Sequence, residues 1–282
     1  VTPPQDDGPI VETAPGDRAL AARLELAEAE GYALPLQALS EDARRAHGLE
    51  VHRVGSAYAF VSRAHPDHAG LNRVVGLGVA EAADEAMLDA MSGLYRGVRS
   101  TVELAPAAQP EDLADRLASR GYRPVRPVAV YLNDLSAVPV PACDLRIAEV
   151  GPDLAEPFTA MTCAAYGYGE PFPSILRATF GLGGWRHWLA FDGDRPVSGG
   201  LLRIAGDTAL SAWGATAPSH RGRGLHEALI ATRFRAAREA GCRLVTGNSA
   251  VDGAGRASPA LRNQFVVGST VPYLRWLFVR GG

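Results

Sequence analysis

In the second half of the chain, short apolar runs alternate with turn residues. Residues 145–150, 188–191, 197–204, 209–216, 243–247 and 274–279 predict strands. Asp192-Gly193 and Gly206-Asp207 stand between three of these runs and signal hairpin turns. Helical spacing marks residues 154–166, a shorter stretch ending near 180, residues 225–240 stopped by Gly241, and a stretch near 258–265. The resulting order, β-α-α-β-β-β-α-β-α-β, predicts an α/β sheet with helices on both faces.

The first half is mixed as well. A helix is expected over 17–29 with its stop at Gly31, then strands at 50–54 and 57–61 and an apolar run at 72–79. Residues 85–95 read as a helix with Met87, Leu88, Met91 and Leu94 on one face. A strand at 100–104 follows, then a helix opened by Pro110-Glu111-Asp112 and closed by Gly121, and a strand at 128–132. Residues 134–141 carry Ser136, Pro139 and Pro141 without periodicity, which puts a domain boundary near 140.

The length of 282 residues suits two domains of ordinary size. Apolar residues at 47% and charged residues at 21% allow a sizeable core, and a net charge of −3 argues against a nucleic-acid or anionic-membrane binder. No apolar run approaches the ~18 residues of a membrane span. All 28 basic residues are arginine, which excludes a Schiff-base lysine, a lysine general base and a P-loop lysine. Cys143, Cys163 and Cys242 have no paired spacing and read as reduced thiols in a cytoplasmic protein. Residues 1–15 are polar, lack the pattern of a signal peptide and are expected to be disordered. His65-Pro66-Asp67-His68 offers no third ligand at a telling distance, so no metal is expected there.

The chemistry concentrates in Gly214-Ala215-Thr216-Ala217-Pro218-Ser219-His220-Arg221-Gly222-Arg223-Gly224-Leu225-His226. A strand ends, a glycine-rich loop follows and a helix begins. Backbone N–H groups and the helix N-terminus converge at such a junction and suit a pyrophosphate. Gly222 and Gly224 allow close approach of the backbone, and Arg221 and Arg223 add charge at the rim. The Arg-Gly-Arg-Gly tetrapeptide alone would read as a surface turn; its context sets it apart.

This segment resembles the CoA loop of the GNAT N-acyltransferase superfamily, of the form Q/R-x-x-G-x-G/A. Arg221 and Gly224 match it, and His226 stands where Gly or Ala is usual. Asn263, Gly268 and Tyr273-Leu274-Arg275 resemble the closing segment of such domains, with Ser269 in place of the usual Phe. The resemblance covers residues 143–282. The first half looks like the degenerate GNAT-like domain of tandem bacterial members, through Asn72–Gly78 and Gly121-Tyr122. Its strand meets its helix through Ala80-Glu81-Ala82-Ala83-Asp84, whose acids would repel a pyrophosphate. The expected architecture is therefore α/β, with tandem GNAT-like domains over 16–138 and 139–282. Each would be a mixed, mostly antiparallel sheet with helices on both faces, and a single CoA site would lie in the second.

The resemblance implies an enzyme that passes an acyl group from acetyl-CoA or another acyl-CoA directly to a small-molecule amine. Gly214, Ala215 and Thr216 would hold the thioester and pantetheine arm. Residues Arg221, Gly222, Arg223, Gly224, Leu225 and His226 would hold the pyrophosphate, with Asn263 facing the arm. Tyr273 is the candidate acid, and Glu170 and His187 are candidate bases, each of the three also readable as a packed or solvated residue. Tyr166, Tyr168, Phe172 and Trp185 would wall the acceptor pocket, although Phe172 and Trp188 also read as core. A CoA-binding module of the same fold without turnover, and an enzyme of non-acetyl chemistry, remain open. The expected partner is a small-molecule amine, with neither nucleic acid nor membrane, in a monomer or homodimer.

Overall fold

The computed structural model describes residues 9–13, 17–252 and 254–282. Its elements are α1 (Arg18–Ala38), α2 (Glu41–Ala46), β1 (Leu49–Val54), β2 (Ala57–Ser62), β3 (Arg73–Val75), α3 (Glu85–Leu94), β4 (Ser100–Leu104), α4 (Leu113–Ser119) and β5 (Arg123–Asn133). They continue as β6 (Arg146–Val150), α5 (Ala155–Tyr166), α6 (Phe172–Thr179), β7 (Trp185–Asp192), β8 (Arg195–Ala205), β9 (Thr208–Thr216), α7 (Leu225–Glu239), β10 (Leu244–Ala250), α8 (Pro259–Val266) and β11 (Thr270–Arg280).

Two compact units form, and they are not the contiguous stretches 16–138 and 139–282. The first gathers Val1–Val130, Asn248–Arg262 and Val271–Gly282; the second holds Tyr131–Gly247 and Asn263–Thr270. The chain thus crosses over within β5, returns within β10, and crosses twice more around α8. A cut near residue 140 misses these returns because they depend on contacts between residues far apart in sequence.

In the second unit, β6, β7, β8 and β9 form an antiparallel meander, and β10 lies parallel to β9 after the crossover through α7. The expected turns at Gly193 and Gly206 join β7 to β8 and β8 to β9. A Cβ at Gly199 would meet Met161 of α5, whereas one at Gly200 would meet Arg233 of α7. Neighbouring strand positions face opposite ways, so α5 and α7 cover opposite faces of this sheet.

The first unit repeats the scheme in shorter form. β1, β2 and β3 are antiparallel, β4 is parallel to β3 after α3, and β11 pairs antiparallel with β4. Helix α1 begins at Asp17, whose carboxylate caps Ala19 N and Leu20 N, and packs on β1, β2 and β3. It does not stop at Gly31 but runs through Gly31 and Pro35 to Ala38. Ala29, Ala33 and Leu36 extend its buried face, and that burial outweighs the cost of about 1 kcal/mol for Gly and 3 kcal/mol for Pro in a helix.

The helix also carries Glu25 and Glu28 into the interior. Arg275 of β11, 1% exposed, donates from Nη1 to Glu25 (3.1 Å) and from Nη2 to Glu28 (2.7 Å), and lies 2.5 Å from Glu103 of β4. Arg73 completes the group with a 3.0 Å bond to Glu103. Burial pushes the Glu25 carboxyl up to about 7, against the pull of Arg275.

Of the N-terminal stretch expected to be disordered, residues 1–8 and 14–15 lie outside the described residues. Residues 9–11 are held in a short bridge: Val11 N donates to Gly255 O and Ala257 N to Pro9 O, both at 2.9 Å. Among the described residues, no helix is long and apolar enough to cross a membrane. No three His, Cys, Asp or Glu among them converge as a metal site, and His65 instead stacks on His47.

Candidate functional site

The site is built where β9 leaves its neighbours. Gly199 faces Ala215 and Leu201 faces Ala212, so Trp213 and Gly214 together oppose Gly200 in a β-bulge. Trp213 takes φ 55°, a left-handed conformation that costs about 1–3 kcal/mol for a bulky residue. Aromatic packing holds it there. Its ring meets those of Tyr166, Tyr168 and Phe172 at centroid distances of 6.0, 6.1 and 5.9 Å.

On its other edge, β9 pairs with β10 only over Thr208–Leu210. At the next residue the Tyr131 phenol donates to Ser211 O at 3.0 Å. The strands part there, and among the described residues no strand pairs with β9 on that side from Ser211 to Thr216. Such a splay leaves main-chain groups available to a ligand.

The loop that follows is tied down at both ends. Ala217 N donates to Val197 O, and His220 Nε2 lies 3.0 Å from Asp192 in the β7–β8 turn. Gly222 and Gly224 adopt φ 75° and 69°, and a Cβ at Gly222 would meet nothing within 4 Å. Gly224 is the N-cap of α7 and offers no side-chain cap, and the first N–H groups of a helix have no intrahelical acceptor. Leu225 anchors the helix in a cluster with Ala190 and Val197. Arg221 donates to Thr216 O at 3.2 Å, and Arg223 pairs with Asp144 at 2.6 Å, both at the exposed rim. Ala215 and Thr216 are held from β8 by the Ser198 hydroxyl, at 2.7 and 2.8 Å. These features fit a pyrophosphate and an extended arm.

His226 packs against the bulge: a Cβ at Gly214 would lie 2.9 Å from its Cε1. Burial and the nearby Arg233 guanidinium push its imidazole down to about 4, so the ring is neutral at pH 7.

The structure brings Tyr166, Tyr168 and Phe172 together as an aromatic wall beside the bulge. The Tyr168 ring stacks on both Tyr166 (5.3 Å) and Phe172 (4.3 Å), and Tyr166 Oη donates to Gly214 O at 2.7 Å. The fourth member is Trp213, not Trp185. Trp185 is buried at the start of β7 opposite Arg203, three positions from the residue that faces Gly200. Glu170 stands exposed in the same loop, 3.5 Å from Arg177. Asn263 is half-buried in the second unit's part of α8.

Two candidates are placed elsewhere. His187 is 2% exposed, stacked on Phe180 and 2.7 Å from the Thr179 hydroxyl, and burial lowers it to about 4. It is a packed core residue. Tyr273 belongs to the first unit, where its hydroxyl donates to Glu25 at 2.9 Å. Burial and that carboxylate raise its pKa well above the usual 10, which makes it a poor proton donor. Sequence spacing could not find this partner, 248 residues away.

The first unit's matching junction is closed by its own acids. Asp84 caps α3 by accepting from Met87 N at 2.8 Å, and Glu81 accepts from Ser56 N. A carboxylate thus caps α3, whereas α7 carries no side-chain cap.

No family model matches the chain, and no curated protein matches it. Solved structures do. A GCN5-related N-acetyltransferase from Kribbella flavida aligns with a TM-score of 0.62 at 19% identity, over 93% of this chain and 96% of its own. One from Sphaerobacter thermophilus gives 0.62 at 18%, over 95% and 94%. A tandem GNAT protein from the clavulanic acid biosynthesis pathway gives 0.59 at 18%, over 97% and 98%. With its bulged strand, its splay and its repeated scheme of strands, the chain has the fold of the GCN5-related N-acetyltransferases in their tandem form.

Proposed function

We propose that the second unit is an acyl-CoA-dependent N-acyltransferase, moving an acetyl or other acyl group to an amine of a small molecule. The observation that carries this reading is one continuous feature: the bulged, unpartnered end of β9 runs directly into the uncapped, glycine-cradled N-terminus of α7. Acyl-CoA supplies an activated acyl carbon and a thiol leaving group. Gly222, Gly224 and the first turn of α7 hold its pyrophosphate, with Arg221 and Arg223 at the rim. Main-chain N–H groups from Trp213 to Thr216 line the arm and donate to the thioester oxygen as it gains charge. The Tyr166 hydroxyl fixes the Gly214 peptide. Glu170, in the loop that carries the aromatic wall, is the candidate base on the acceptor side. With Tyr273 and His187 committed to Glu25 and Thr179, no second strong acid or base stands in the set expected from sequence. This favours, as the second reading, a CoA-binding module without turnover. Release of free thiol from acetyl-CoA in the presence of a panel of primary amines separates the two.

Two results are expected on this reading. Titration with CoA saturates at one equivalent per chain, because Asp84 already caps the first unit's helix; saturation at two would show that the first unit binds as well. Tyr168→Ala removes the centre of the aromatic wall and raises the acceptor KM about tenfold or more, as losing an apolar pocket contact does. Calorimetric affinity for CoA stays within about twofold. A weakened CoA affinity with unchanged acceptor kinetics would place the wall on the donor side.

A further inference from the structure

Helix α7 buries an arginine that the loop motif does not include. Arg233 is 1% exposed, and among the described residues no carboxylate is paired with its guanidinium. An isolated buried cation is costly, so its surroundings must replace water. They do so with dipoles alone. Nη1 donates to Leu201 O (3.1 Å), Ser211 Oγ (2.9 Å) and Ala212 O (3.3 Å), and Nε donates to Leu229 O (3.3 Å). Leu201, Ser211 and Ala212 lie on the two strands that form the bulge.

The bulge is in turn shaped around this group. A Cβ at Gly200 would stand 2.8 Å from Arg233 Cζ, and one at Gly214 would stand 3.4 Å from Nη2. Both glycines therefore leave room for the guanidinium directly beneath the segment that opposes Trp213 and Gly214. The Tyr131 and Tyr166 phenols are the ionisable groups that act on it among the described residues, and the neutral His226 ring lies beside it. Burial works against this positive charge, and among the described residues no carboxylate offsets it, beneath the part of β9 that splays from β10.

Resting on the acyl-transfer reading above, we propose that Arg233 is a positioning residue of the reaction: a fixed internal cation that orients the bulge peptides and stabilises negative charge gathering on the thioester oxygen. The amine lone pair forms the new C–N bond while the carbonyl π pair moves onto oxygen. When that pair returns, the C–S bond breaks, sulfur leaves with its electrons and takes up the proton that the nitrogen loses. Net charge at the acyl oxygen rises and falls within this sequence. A cation held by preformed dipoles in a water-poor interior acts on it without reorganising. Substrate binding involves little such charge, so the effect appears in kcat and leaves the KM for acyl-CoA almost untouched.

The test compares Arg233→Met and Arg233→Lys with the wild-type full chain, using acetyl-CoA and a panel of small primary amines with thiol release as readout. Circular dichroism and thermal melting establish that each variant is folded. Wild-type turnover with a roughly 10- to 100-fold lower kcat in Arg233→Met, a KM for acetyl-CoA within about threefold, and partial recovery in Arg233→Lys is expected. NMR of the folded Arg233→Met protein should also show the His226 imidazole titrating nearer its ordinary range. An active wild type whose kcat survives Arg233→Met overturns the inference alone. A kcat loss that Arg233→Lys does not relieve, or that only follows the melting temperature, also overturns it in favour of a structural role. A wild type that binds acetyl-CoA and releases no thiol with any amine overturns the acyl-transfer reading, and this inference with it. Should Arg233→Met fail to fold, Arg233→Gln, which keeps hydrogen-bond donors without the charge, carries the test: a folded Arg233→Gln protein with unchanged kcat overturns the proposal.

Discussion

Gly224→Val is expected to abolish CoA binding while the protein stays folded. Gly224 sits at φ 69°, where a β-branched side chain collides with its own backbone. The cost of the left-handed conformation to an L-residue is about 1–2 kcal/mol, so the melting temperature falls by only a few degrees in a chain of this size. The chain can escape the strain by turning the 223–225 peptides, and this turns the first N–H groups of α7 away from the phosphates. Charge-assisted hydrogen bonds contribute about 1.5–3 kcal/mol each, so losing two weakens CoA by about 100-fold or more. Isothermal calorimetry measures this directly. A folded Gly224→Val protein with wild-type CoA affinity would show that the loop is an ordinary turn. Gly222→Ala is a milder companion: its φ of 75° is also left-handed, but a Cβ there meets nothing, so a smaller loss is expected.

This loop was legible because everything it needs is local. Glycines at two left-handed positions, a preceding strand and a following helix all fall within about a dozen residues. The hairpins of the second unit were legible for the same reason, since Gly193 and Gly206 mark turns that the flanking strands require. What lay beyond the sequence depends on register or on distant partners. The bulge at Trp213 exists because Gly200 on β8 faces two residues of β9, a matter of pairing that no single segment encodes. Arg233 sits among Arg235 and Arg238 on α7 and reads like another solvated arginine; only the glycines across the sheet reveal its burial. Trp185 lost its expected place to Trp213 because position along β7, not proximity to the loop in sequence, decides which ring joins the wall. Tyr273 was expected beside the thioester by analogy of order. Its strand instead pairs with β4, 172 residues earlier at the Leu104–Trp276 register, and its neighbours are therefore those of the first unit.

Arg275→Ala should be the most damaging single substitution for the first unit, lowering its stability by about 3–5 kcal/mol, the range for breaking a buried ion pair by removing one partner. Glu25, Glu28 and Glu103 face Arg275 and Arg73 inside the unit, and Arg275 alone bonds or pairs with all three carboxylates. Arg73 reaches only Glu103 among them by hydrogen bond. Removing Arg275 leaves Glu25 and Glu28 side by side on α1, each buried to within 1% and neither with a cation in contact. Neutralising them by protonation draws on the same stability that holds α1 to the sheet. Arg275 also marks where the chain's last strand belongs: Val271–Gly282 is part of the first unit, so this unit is completed only by residues at the far end of the sequence. The effect should therefore appear as an earlier melting transition, roughly 10 °C lower, while CoA affinity in the second unit, measured below that transition, is retained. Arg275→Met restores volume without charge and should remain several kcal/mol destabilised. A melting curve unchanged by either substitution would mean that the buried carboxylates are held by something other than this guanidinium.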